Sequence, residues 1–101
     1  MTEEPRDLTR LIESLRQHLP LVRARYQVES LSVFGSYVRG EQRPGSDLDI
    51  LVTFSEPPSL LTFLELEGYL SDVLGVKVDL VMRAALKPRI GRQIVSEART
   101  I

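Results

Sequence analysis

The chain has 101 residues, 43% of them hydrophobic, with no cysteine, no tryptophan, a single histidine (His18) and a net charge of −1. That length supports a single domain, 1–101. The missing cysteines exclude disulfides and thiolate metal sites, and the near-neutral charge excludes a protein that binds nucleic acid through its overall field.

In chain order, the charged start "MTEEPRDLTR" has no apolar signal core, and no run of about 18 apolar residues follows, so neither a leader nor a membrane span is expected. A cytoplasmic protein is the expectation. Leu8, Leu11, Ile12, Leu15 and Leu19 recur at helical spacing and predict a helix from about Asp7 to His18. Pro20 is expected to break or kink it, with a short second helix over 20–26 able to start there and His18 on the surface. "SLSVF" (30–34) alternates as a strand, and "LDILVTF" (48–54) reads as a second strand buried on both faces. Ser59 is placed to cap a helix over 60–74, and Gly75 to end it. "VKVDLVM" (76–82) is a third strand, and Pro88 opens a last helix. The order predicts an α/β (α+β) domain with a small mixed sheet covered by helices. Charge is uneven along it: residues 77–101 carry a balance of +4 and the remainder −5. A basic quarter of this kind suits either a solvated helix face or a surface that meets an anion or an acidic partner.

The stretch "VFGSYVRGEQRPGSDLDILV" (33–52) carries the chemistry. Residues i and i+2 of a strand share a face, so Asp47 and Asp49 project together. Asp79 alternates with apolar neighbours in the third strand. If the two strands are neighbours, one face holds three carboxylates, which cannot all stay ionised without a cation. A hard divalent ion such as Mg²⁺ fits oxygen ligands and substrate phosphates, and two such ions would clamp an in-line phosphoryl or nucleotidyl displacement. Upstream, Gly35 permits close backbone approach. Ser36 offers a hydroxyl and is placed to cap a short helix that Gly40 would end. Gly35 and Gly40 match the glycines of a P-loop, but Glu41 and Gln42 stand where Lys and Ser/Thr are required, so that reading fails.

"GSYVRGEQRPGSDLDILV" resembles the signature of the DNA polymerase beta-like nucleotidyltransferases: a Gly-Ser pair, about ten residues, then Asp-x-Asp in a strand, with a later third carboxylate that "VKVDLV" supplies. The short chain, "GSYVRGE" and the ending "LKPRIGRQIVSEA" are similar to the minimal nucleotidyltransferase branch, over roughly Leu8 to Ala98. Val38 replaces the alanine usual at its position. The resemblance implies that Gly35 and Ser36 hold the triphosphate of ATP, and that Asp47 and Asp49 bind Mg²⁺. Asp79 would ligate the catalytic metal and help activate the acceptor hydroxyl. Arg39 either contacts phosphate or braces the loop by pairing with Glu41 or Asp47. Ser46 joins the nucleotide-binding set, with a turn or cap as the alternative, and Tyr37 either packs or stacks on a base.

The same resemblance implies a partner, a HEPN-domain toxin that receives AMP on a tyrosine hydroxyl, with this chain as the antitoxin. No second lobe is expected to hold an acceptor, and the apolar helix over 60–74 reads either as a well-buried helix or as one with an excess of apolar residues left to bind a protein. The alternatives are an antitoxin that only masks its partner and an enzyme acting on a small molecule such as an aminoglycoside. Direct nucleic-acid binding is not expected.

Overall fold

The computed structural model describes residues 7–101; the charged residues 1–6 lie outside them. The first helix, α1, spans Leu8–Tyr26 without interruption. The Asp7 carboxylate caps it, accepting the Thr9 N–H at 3.0 Å. The expected break at Pro20 does not occur. Leu11, Leu15, Val22 and Tyr26 form one buried stripe running past Pro20, whose own ring faces solvent. Burying that stripe outweighs the single helical hydrogen bond that proline cannot donate. His18 is half-buried rather than on the surface. Its Nδ1 donates to the Ser14 carbonyl at 2.8 Å, and its ring meets Tyr69 edge-on at 6.0 Å.

Strand β1 (Val28–Phe34) starts two residues earlier than expected, because buried Val28 extends it past an irregularity between Val28 and Ser30. A single helical turn, α2 (Ser36–Arg39), leads to β2 (Leu48–Phe54), found with the expected bounds. Helix α3 (Leu60–Leu74) also has its expected bounds: Ser59 Oγ accepts the Thr62 N–H at 3.1 Å, and Gly75 closes the helix at φ 72°. Strand β3 is shorter than expected (Val78–Met82) and runs into a 3₁₀ turn, Arg83–Ala85. Helix α4 (Pro88–Glu97) precedes β4 (Arg99–Thr100), which is too short and polar for any strand pattern to mark.

The sheet order is β3-β2-β1-β4, with β2 and β3 parallel and both other pairs antiparallel. Leu31, Val33, Leu48, Ile50, Val52, Val78 and Leu80 point to one face, where they join Leu11, Leu15, Leu66 and Leu70 in the core. Helices α1 and α3 cover that face. α3 also blunts the free edge of β3: Ser71 Oγ accepts the Val78 N–H at 3.0 Å and Glu67 Oε2 accepts the Leu80 N–H at 2.9 Å. The other face carries Ser32, Asp49, Leu51, Thr53 and Asp79, and no residue of α4 is buried. The helical cover is thus one-sided, and the second face of β2 is only partly shielded. Of the two readings of α3, the structure shows the one with apolar residues to spare: Leu60, Leu61 and Leu64 are exposed. No helix among the described residues is long and apolar enough to cross a membrane.

Candidate active site

The half-open face carries Asp49 and Asp79, two of the candidate site residues. Asp49 and Asp79 are directly paired in register across the parallel β2–β3 ladder. Their flanking residues Leu48, Ile50, Val78 and Leu80 are buried in the core, which leaves both carboxylates on the opposite face. Asp47 stands just before β2, where Leu48 N–H already donates to the Lys77 carbonyl at 2.8 Å. On the other side of Asp49, its antiparallel partner is buried Phe34.

This placement has an electrostatic signature. Burial, then the charges of Asp79 and Asp47, push the Asp49 carboxyl up from the ordinary 3.8 to about 6, against an opposing pull from Arg39. Asp49 is therefore mostly ionised at neutral pH, but at a cost that a nearby cation would remove. Repulsion and desolvation, the two penalties that make an Asp-x-Asp pair at a buried strand unexpected, are both present at this one carboxylate.

Gly35 lies against the same carboxylate. Its backbone sits at φ 83°, ψ −153°, a region essentially reserved for glycine, and a Cβ there would fall on Asp49 Oδ2. The glycine thus does two jobs: it lets the chain turn sharply out of β1, and it lets that turn touch Asp49. Ser36 follows as the first residue of α2. It is not the cap, a place Gly35 takes without a side-chain hydrogen bond, because the left-handed turn precedes Ser36. Gly40 ends α2 at φ 72°, as expected. Tyr37 is buried and packs in the core, which settles the choice between packing and stacking in favour of packing.

Arg39 braces the loop. Its Nε donates to Glu41 Oε1 and its Nη1 to Glu97 Oε1, both at 2.9 Å, and those two carboxylates hold the guanidinium above its usual pKa. Ser46 closes a turn: its Oγ accepts the Arg43 N–H at 2.9 Å around Pro44-Gly45, with Gly45 at φ 91°, the pattern of a type II turn. That turn delivers Asp47 to the mouth of β2.

Sequence reasoning missed Glu97. Its Oε2 accepts the Gly35 N–H at 2.7 Å while Oε1 takes Arg39, so one carboxylate ties the end of α4 to the glycine turn. The Gly35 hydrogen bond, then the Arg39 pair, hold the Glu97 carboxyl below its usual range. A signal did exist. An acid in the last turn of a helix opposes the macrodipole, so it needs a partner elsewhere. Glu97→Ala should speed hydrogen exchange of the Gly35 amide by about tenfold or more, the equivalent of one charge-assisted hydrogen bond. Unchanged exchange, read by NMR, would show that the tie carries no energy.

The family profile described as nucleotidyltransferase domain matches residues 15–101. The chain belongs to that family. It is 53% identical over 87 residues to the protein adenylyltransferase MntA of Thermococcus cleftensis, covering 85% of this chain and 88% of that one. It is 49% identical over 88 residues to a Methanocaldococcus jannaschii protein provisionally named a protein adenylyltransferase, covering 86% and 90%. Among solved structures, one provisionally described as a minimal nucleotidyltransferase superposes with a TM-score of 0.78 at 42% identity, covering 91% of this chain and 93% of that one. A toxin–antitoxin structure with AMP-PNP superposes at 0.67 and 27% identity, covering 91% and 69%. The mixed sheet with its one-sided helical cover is the nucleotidyltransferase fold.

The resemblance noted in the sequence implies Mg²⁺, and the donors present fit it in kind: Asp49 and Asp79 offer carboxylate oxygens on one face, and Asp49 carries a charge that a cation would balance. Among the described residues no three acidic or histidine side chains are gathered tightly enough to cage an ion as they stand. Mg²⁺ does not require such a cage, since it is usually held by one or two carboxylates together with substrate phosphates and water.

Proposed function

We propose that this chain is a metal-dependent protein adenylyltransferase that transfers AMP from ATP to a tyrosine hydroxyl of a cognate HEPN toxin, and so acts as its antitoxin in the cytoplasm. One observation carries the proposal: Asp49, raised in pKa by burial and by the charges of Asp79 and Asp47, lies against the Gly35-Ser36 turn. Carboxylates that need a cation and a backbone turn able to approach a phosphate closely then share one open face. The names of the relatives at about half identity support the protein acceptor, and the AMP-PNP complex supports nucleotide binding.

In this reading Asp47 and Asp49 would hold Mg²⁺, with Asp79 completing the set for a second ion. Bound there, the metal would supply Lewis-acid charge for the phosphates. The chain's own residues do the rest. The Gly35-Ser36 turn receives the triphosphate, with the Ser36 hydroxyl as a contact. Arg39, steadied by Glu97, sets the shape of that turn. Asp79, exposed at the edge strand, orients the acceptor hydroxyl and takes its proton as the new bond to the α-phosphorus forms and the bond to pyrophosphate breaks.

The test is a transfer assay. The chain is incubated with ATP, Mg²⁺ and the HEPN-domain protein encoded beside it, and the intact mass of that protein is read. The control is the double variant Asp47→Asn/Asp49→Asn. A gain of AMP units with the unmutated chain alone is the expected result. A stable complex without any gain would replace the enzyme with a masking antitoxin.

A further inference from the structure

The cations Arg83, Lys87 and Arg92 of the basic C-terminal quarter have no part in the site described so far. In the fold they line a groove of about 490 Å³ between the turn after β3 and α4. Leu86, Pro88 and Val95 supply apolar lining between the cations. All three cations are exposed, and among the described residues none of them is in an ion pair. Positive charge left unbalanced around apolar surface selects a ligand that is acidic and partly apolar.

The groove is continuous with the active face. A smaller cavity of about 110 Å³ shares Arg83 and Val95 with it and touches Ser32, Leu51 and Thr53. Leu51 and Thr53 follow Asp49 at i+2 and i+4, on the same face of β2. Arg83 lies four residues beyond Asp79, roughly 13 Å at the rise of an extended chain. No aromatic side chain lines the groove. Bases of single-stranded nucleic acid would find nothing to stack on, which favours a polypeptide ligand.

We propose that this groove docks an acidic, apolar-bearing segment of the protein that accepts AMP, and aligns its hydroxyl with Asp79. The inference rests on the protein-acceptor reading above. The groove's distance from Asp79 places the acidic residues about four extended residues from the hydroxyl that reacts.

The experiment measures transfer to the HEPN-domain partner over a range of acceptor concentrations, with ATP binding measured separately. The triple variant Arg83→Glu/Lys87→Glu/Arg92→Glu should raise the acceptor KM by about tenfold or more, reverse the salt dependence of KM so that added salt lowers it, and leave the ATP Kd unchanged. Gly91→Leu probes the groove without altering charge. Gly91 lines it, with its notional Cβ 3.5 Å from Leu86 Cβ, so a larger side chain would occupy the space, and the change favours the helix. It too should raise the acceptor KM. A short polyglutamate peptide should inhibit in competition with the acceptor. Transfer by the unmutated chain with an unchanged KM in both variants overturns the docking site, as does polyglutamate competing with ATP, or a single-stranded oligonucleotide competing better than the peptide. An unmutated chain that binds ATP and modifies no protein removes the acceptor reading itself, and this inference with it.

Discussion

Asp49→Asn should lower AMP transfer by about a thousandfold while making the metal-free protein harder to melt at pH 8. The activity loss follows from removing a carboxylate at the centre of the charged face. Losing several kcal/mol of charge stabilisation in the transition state, at about 1.36 kcal/mol per tenfold, amounts to a factor of that size. The stability gain has the opposite origin. In the folded chain the Asp49 carboxyl is pushed up to about 6 by burial, Asp79 and Asp47, above the ordinary 3.8. The folded state therefore holds that proton more tightly than the unfolded state does. Above pH 6 the ionised carboxylate costs the fold stability; between about 6 and 3.8 the cost fades; below that window it is gone. In the presence of a chelator, the melting-temperature advantage of Asp49→Asn should be clear at pH 8 and vanish by pH 3.5. A variant that melts lower than the parent at pH 8 would mean that Asp49 is stabilised by partners rather than strained by neighbours.

Gly35→Ala is expected to be the most destabilising single-methyl addition in the chain. Two costs combine. The backbone at φ 83°, ψ −153° is open to glycine and strained by about 1–3 kcal/mol for other residues. The new Cβ would also fall on Asp49 Oδ2, and because the other side of that carboxylate is the β3 ladder, overpacking adds about 1–3 kcal/mol. A total of about 3 kcal/mol lowers the melting temperature by about 12 °C or more in a domain of this size. Gly40→Ala is the matched control: φ there is also positive, at 72°, but nothing lies within 4 Å of its notional Cβ. That variant should lose about 1–2 kcal/mol, the left-handed penalty alone. Equal losses in the two variants, measured by urea denaturation, would show that contact with Asp49 contributes nothing.

The two results together separate chemistry from scaffold. Under the proposed function Asp49 would be kept, at a stability cost, for its role in transfer, while Gly35 is required because of where Asp49 is. Glu97 connects the pair to α4, so the glycine turn, the arginine and the last helix behave as one braced unit on the open face.

Local patterns carried much of this in the amino-acid order alone. The β2 alternation put Asp49 opposite Leu48 and Ile50, Ser59 and Gly75 bounded α3, and Pro88 opened α4, because capping, turn and strand preferences act within a few residues. Four things could not be read that way. Helix α1 runs through Pro20 because Val22 and Tyr26 are buried by elements far along the chain, and a local rule for proline has no access to that burial. The pairing of Asp49 with Asp79 depended on β2 and β3 being neighbours in parallel register, which a sequence can suggest but only the sheet order decides. The acid at Glu97 called for a partner, but which partner was out of local reach, because Gly35 and Arg39 lie 62 and 58 residues away in the chain, and β4 exists only because β1 offers an edge for two polar residues to join. Short-range preferences determined the elements and named the carboxylates. Long-range burial and pairing decided which of them meet, and what holds them in place.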